Sequence, residues 1–186
     1  MEQRHFWVVT QLVSEHLAKE GEAILQVTSE SMSPLIRIND LVRIRNVSAQ
    51  DLRCGDIVVI QKGDEYITHR YLEKQGKMWL TRGDNLVLPD PPIHENQYIG
   101  KVVEIQREGW VFDLSHPRWV KFNHHLGWLS LANIKWIKSI EIILRRYTPH
   151  MPQISINVAL RVLSFPFSLW CNLIFLIEQF YFRFQK

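Results

Sequence analysis

At 186 residues and 46% hydrophobic content, the chain is long enough to bury one sizeable core and to carry an appendage. A net charge of +3 is too small to argue for a nucleic-acid partner. Only two cysteines occur, Cys54 and Cys171, far apart in the chain, which excludes a disulfide framework and fits a reducing compartment.

Phe6, Val9, Leu12, Val13 and Leu17 recur at helical spacing, with Gln11, Glu15, Lys19 and Glu20 between them. The pattern predicts an amphipathic helix within residues 1–22, ending at Gly21, with no apolar run of signal-peptide or membrane-span length. Short β segments follow, at residues 23–28, 41–46, 57–61, 66–72, 78–81, 98–106 and 110–112. Turn pairs such as Gly55-Asp56, Gly63-Asp64, Gln75-Gly76 and Glu108-Gly109 bound them. Many short strands without alternating helices predict a mainly β domain over residues 23–114, a coiled and partly closed sheet. Asp90-Pro91-Pro92 has no place in a central strand and reads as a loop.

Residues 115–186 change texture and predict an α-helical, apolar C-terminal extension. Trp128, Leu131, Ile134, Ile137 and Ile140 run on to Leu144, and Arg145-Arg146 closes the segment as expected at a helix C-terminus. Pro149 and Pro152 mark a linker. Residues 162–177 then carry only Ser164, Ser168 and Asn172 as polar side chains, a run slightly short of the roughly 17–25 residues a spanning helix needs. Lys135, Lys138, Arg145, Arg146, Arg161, Arg183 and Lys186 outnumber Glu141 and Glu178, which suits an anionic membrane surface on the cytoplasmic side. A helical hairpin that packs on the β core or dimerises is the competing reading.

Ser31, His69 and the acids Asp84 and Asp90 arrive in that order, each beside a predicted strand. Serine is a poor nucleophile at neutral pH unless a base lies within hydrogen-bond reach, and the base in turn needs an orienting acid. The flanking words are more specific than the residue types. Thr28-Ser29-Glu30-Ser31-Met32-Ser33-Pro34, followed by Asn39-Asp40-Leu41-Val42, resembles the serine box of the signal peptidase and self-cleaving repressor superfamily, the S24/S26-type peptidases. Cys54-Gly55-Asp56-Ile57-Val58 matches its second Gly-Asp box. Thr68-His69-Arg70 falls where bacterial signal peptidases and repressors carry a lysine, and where the endoplasmic-reticulum and archaeal signal peptidases carry a histidine. Thr81-Arg82-Gly83-Asp84-Asn85 and Asp90 look like the acid positions of that histidine branch.

The resemblance implies a signal peptidase-like β core and a Ser-His-Asp endopeptidase that matures a precursor protein or peptide, similar to small bacterial members without an N-terminal anchor. It implies Ser31 as nucleophile, His69 as base and Asp90 as the favoured acid, with Asp84 in a Gly-Asp-Asn turn as the other candidate. Ser29 matches an oxyanion-hole serine, and Met32 and Glu30 flank the nucleophile. Glu30 stands where glycine is usual, and Asn39 replaces the glycine of the first Gly-Asp box. No cofactor or metal is implied: His124-His125 has no Cys or acidic partner at ligand spacing. His94, His116 and His150 read as solvated loop neighbours, and Asp40 and Asp56 as turn carboxylates. A non-catalytic peptide-binding module delivering a precursor to a membrane partner is the alternative. The DNA-damage repressor type is not expected, because only about twenty residues precede the β core and the base is not lysine.

Overall fold

The structure, a computed structural model, describes residues 13, 15–17, 19–147 and 158. Eight strands are present among the described residues: β1 (Glu22–Gln26), β2 (Leu41–Arg45), β3 (Ile57–Lys62), β4 (Glu65–Gln75), β5 (Met78–Arg82), β6 (Ile93–His94), β7 (Tyr98–Arg107) and β8 (Trp110–Asp113). A single 3₁₀ turn (Glu95–Gln97) separates β6 from β7, and one long helix, α1 (Pro117–Tyr147), follows the sheet. The chain divides into two compact units, residues 1–128 and 129–186.

All strand pairs are antiparallel, in the order β1-β2-β7-β3-β4-β5-β6, with β8 along β7. The sheet is not closed, which corrects the expectation of a partly closed one. Its path ends at β1 and β6, and the two-residue β6 is too short to bridge the ends. Register shifts between Arg43 and Ile44, Val59 and Ile60, and Tyr71 and Glu73 supply local bends instead.

Ile57-Val58-Val59-Ile60 is a continuous apolar run, and all four residues are buried, as a central strand covered on both faces requires. On one side Trp79 packs edge-on against Tyr71, ring centroids 5.1 Å apart, and lies at the same distance from Tyr98. Val58, Ile60 and Ile93 complete this cluster. Burial raises the pKa of both tyrosines, with the Asp56 carboxylate adding to the effect on Tyr98. Unfolded tyrosines lose their protons near pH 10, whereas these two keep theirs. Above that pH the unfolded chain therefore binds fewer protons than the folded one, and stability falls as pH rises. The urea midpoint should drop between pH 9 and 11, and a Tyr71→Phe/Tyr98→Phe variant should show a shallower drop. An identical slope in both proteins would contradict the burial argument.

The helical residues before β1 end where expected. Gly21 adopts φ 77° and its N–H donates to the Leu17 carbonyl at 2.9 Å, a glycine C-cap. The earlier part of that predicted helix lies outside the described residues, as does the apolar run at 162–177. Helix α1 begins at Pro117, whose missing N–H costs nothing in a first turn, so it starts well before Trp128 and contains His124-His125 rather than following them. Within the first unit its Trp119, Asn123 and Leu126 are buried. In the second, Leu131, Ile134 and Ile137 are buried, and Trp136, Ile142, Ile143 and Tyr147 are exposed. No described helix is long and apolar enough to cross a membrane.

Candidate active site

Ser31 sits on a turn just beyond β1. Met32, Leu35 and Ile36 are buried and anchor this turn, and the Ser33 and Ile36 N–H groups donate to the Glu30 and Met32 carbonyls at 3.0 and 3.1 Å. Its far end is pinned by Asp40, which is 2% exposed. Asp40 accepts the Arg37 N–H at 2.7 Å and a bidentate pair from Arg107 at 2.7 and 2.6 Å. Arg107 also donates to the Leu35 carbonyl at 2.7 Å. Asn39, the departure from Gly-Asp, holds φ 71°, a left-handed conformation that asparagine tolerates better than most residues. The nucleophile candidate thus stands on a turn fixed at both ends.

His69 lies on β4, paired with Val58 of β3, and is buried. Its Nδ1 is 2.7 Å from Asp90 Oδ2, and the same oxygen accepts the Thr81 hydroxyl at 2.6 Å. An oxygen that receives the Thr81 proton acts as an acceptor, so Nδ1 is the donor of this bond, and in the neutral imidazole Nε2 is then the acceptor nitrogen. Asp90 is held by its backbone as well, its N–H donating to the Thr81 carbonyl at 2.9 Å. His69 Nε2 is buried with no hydrogen-bond partner among the described residues. Such an atom in a native fold is a candidate for a reacting group.

Gly83 shows where that nitrogen points. A Cβ on Gly83 would lie 2.6 Å from the Ser31 carbonyl oxygen and 2.9 Å from His69 Nε2, so the glycine backbone is wedged against both. Asn85 ties the same loop to the nucleophile turn, its N–H donating to the Ser31 carbonyl at 2.9 Å and its side-chain amide to the Glu30 carbonyl at 3.2 Å. The Ser31 hydroxyl is bonded to the Ser29 hydroxyl at 3.3 Å rather than to His69. In ligand-free sites such catalytic hydrogen bonds are often unmade and tighten only when substrate arrives.

Asp84 does not touch His69. Both of its oxygens are taken by Arg70, Nε at 2.8 Å and Nη2 at 2.6 Å, a planar fork-to-fork pair. The buried Arg70 also donates to the Gly55 carbonyl at 2.6 Å and to Asn123 of α1 at 3.0 Å. The structure therefore joins Asp90 to the histidine and Asp84 to the neighbouring arginine.

A cleft of about 80 Å³ opens beside Ser31, lined by Leu25, Val27, Ser29, Met32, Ile36, Val42, Tyr66 and Thr68. The exposed Glu30 is not among its walls. Strand β4 pairs with β3 through Glu65–Arg70 but with β5 only from Arg70 onward.

The remaining candidates have other employment. His124 is spoken for at both nitrogens, bonded to the Cys54 carbonyl at 3.0 Å and accepting from Trp128 at 3.0 Å. His94 is partly buried and caps the 3₁₀ turn instead of being solvated. Asp56 accepts the Arg53 N–H at 2.9 Å and pairs with Lys101 at 2.7 Å. Burial pushes the Cys54 thiol up, which keeps it protonated at neutral pH and removes it as a rival nucleophile. No cluster of metal-binding side chains occurs among the described residues.

Reading the residues in order did not single out Thr81, Gly83, Asn85 or Arg70 for the work they do here. The one available signal was their place within the acid box and directly after His69. A family model described as Peptidase S24-like matches residues 2–103, a span that includes the nucleophile turn, His69 and both acids. No curated protein matches the chain. With more than half of its length under that match, the chain belongs to the Peptidase S24-like family.

Proposed function

We propose that this protein is a serine endopeptidase of the histidine-base type, in which Ser31 is the nucleophile, His69 the base and Asp90 the orienting acid. The observation that carries this reading is the His69 ring: Asp90 grips Nδ1, and the unpartnered Nε2 faces the loop that touches the Ser31 carbonyl. Nε2 takes the Ser31 proton as Oγ attacks a peptide carbonyl, and then delivers it to the leaving amine. Asp90 stabilises the imidazolium formed between those steps. The Ser31 N–H, helped by the Ser29 hydroxyl, donates to the oxyanion. Asp84 takes no part in the proton transfers and braces the loop through Arg70.

The substrate lies extended along a strand edge next to Ser31 and makes main-chain hydrogen bonds there. The cleft holds the equivalent of about two or three waters at ~30 Å³ each, room for a small side chain on the acyl side of the cut. Met32 helps to wall it, while Glu30 flanks the nucleophile and disfavours acidic residues beside the scissile bond. Such narrow access suits a dedicated precursor or leader peptide better than general digestion.

Digestion of a diverse peptide mixture, read by mass spectrometry beside Ser31→Ala, tests the reading. Cuts by the wild type alone, after small residues, are expected. No cuts by a folded wild type, combined with saturable peptide binding, would favour the non-catalytic delivery module.

The work site in this reading is an anionic membrane surface at the cytoplasmic face. The supporting feature is α1 after residue 128, where Trp136, Ile142 and Ile143 are exposed beside exposed Lys135, Lys138 and Arg146. Glu141, the acid of that stretch, is partly buried and paired with Arg145 at 2.9 Å. Cations interleaved with exposed tryptophan and isoleucine match the acidic headgroup region of a bilayer. The protein should co-sediment with vesicles containing phosphatidylglycerol and not with neutral ones, and glutamates at Lys135, Lys138 and Arg146 should release it. Equal binding to both vesicle types would reject the electrostatic part of the reading.

A further inference from the structure

The buried Arg70 is completed from outside the family-matched segment. Its Nη1 donates to Asn123 Oδ1 at 3.0 Å, and Asn123 lies on α1, beyond the matched residues 2–103. Two glycines bring the helix that close. A Cβ on Gly55 would collide with the backbone of Asn123 and His124, and a Cβ on Gly127 would collide with the backbone of Gly55. The Gly55 turn is itself fastened to β4, the Gly55 N–H donating to the Tyr71 carbonyl and the Tyr71 N–H to the Asp56 carbonyl, both at 2.8 Å. The first turns of α1, the Gly55 turn and the strand segment that carries His69 and Arg70 thus share one buried polar knot.

From Arg70 the connection runs to Asp84, and from Asp84 to its neighbours Gly83 and Asn85, which border His69 Nε2 and hold the Ser31 carbonyl. Without Asn123, one guanidinium N–H would lose an acceptor in a place with no water exposure, and the fork would re-aim toward what remains. We infer that Asn123 is a positioning residue for the reaction, acting through Arg70 and Asp84 on the geometry between Ser31 and His69. This rests on the peptidase reading only for its kinetic arm.

Asn123→Ala should lower kcat about ten- to a hundredfold, because sub-ångström misplacement of reacting groups is costly, while KM changes less than twofold. Asn123→Asp keeps the acceptor oxygen and should restore most of the rate. The second arm needs no substrate: the ring signals of His69 in NMR should move in Asn123→Ala and return toward wild type in Asn123→Asp. If the alanine variant does not fold, Asn123→Gln decides the point. It carries the amide one methylene further and should displace the same signals. Unchanged His69 signals in a folded Ala or Gln variant would overturn the inference. A rate loss with unchanged KM that Asn123→Asp fails to rescue would overturn it too. Absence of cleavage by the wild type would count against the peptidase reading alone, since the His69 signals still report on Asn123.

Discussion

Alanine at Ser31 or at His69 is expected to lower kcat for peptide cleavage by about 10⁶-fold, and asparagine at Asp90 by about 10⁴-fold. Alanine at Ser33 should leave the rate within a small factor of wild type. In the proposed mechanism the first two substitutions remove the attacking oxygen and the proton carrier. The third preserves shape but offers an NH₂ or a carbonyl where a carboxylate accepted both the Nδ1 proton and the Thr81 hydroxyl. The imidazole then favours the other tautomer, with its proton on the nitrogen that must receive one. Ser33 is the control because it belongs to the same turn, two residues on, with its N–H bonded to the Glu30 carbonyl. Steady-state kinetics on one peptide that the wild type cuts would check the series. Losses of equal size in all four variants would mean that damage to the turn, rather than chemistry, had been measured.

The second large effect is on stability. Asp84→Ala should cost about 3–5 kcal/mol, because it strands the Arg70 guanidinium, whose side chain is 0% exposed, without its carboxylate. For a chain of this size that corresponds to a fall of roughly ten degrees in melting temperature. Replacing both partners, Arg70→Met with Asp84→Leu, should recover much of the loss, since the penalty belongs to the orphaned charge and not to the missing pair. Asp90→Asn, by contrast, should melt within a few degrees of wild type. The two acids are separated by which assay each one disturbs, and calorimetry beside kinetics would show it. A stable, inactive Asp84→Ala together with an unstable Asp90→Asn would reverse the assignment.

The strands of the core were legible because Val, Ile and Leu runs bounded by Gly-Asp pairs leave few other options, as at Ile57–Lys62. The short β6 was not. Pro91-Pro92 signals a loop, and the two residues after it pair with Met78 and Trp79 only because the loop returns there. The first turns of α1 were hidden for a related reason. Asn123, His124 and Gly127 interrupt the apolar spacing, and each has a reason to be polar or small only once the Gly55 turn is in place.

Of the site, Ser31 and His69 could be read from local words, and so could the pair of acids. Choosing between Asp84 and Asp90 favoured the latter in sequence, but which one faces the histidine depends on the turn after β5, a tertiary fact. Gly83 carries no unusual φ that a turn rule would flag. What forbids a side chain there is the Ser31 carbonyl and a ring nitrogen contributed by distant parts of the chain.

His69 and Arg70 are consecutive on β4, so the alternation of the strand sends them to opposite faces, one toward Asp90 and the other toward Asp84. Their register against β3 is set by the tight connection at Gly63-Asp64. Gain or loss of one residue in that connection would turn every β4 side chain to the opposite face, taking Ile67 and Tyr71 off the Trp79 cluster and exchanging a histidine for a permanent cation beside the nucleophile candidate. The hairpin length therefore works as a reading frame for the chemistry. Among the described surface turns, the one at Gly63-Asp64 should be the least forgiving of insertions, although nothing crowds a side chain at Gly63.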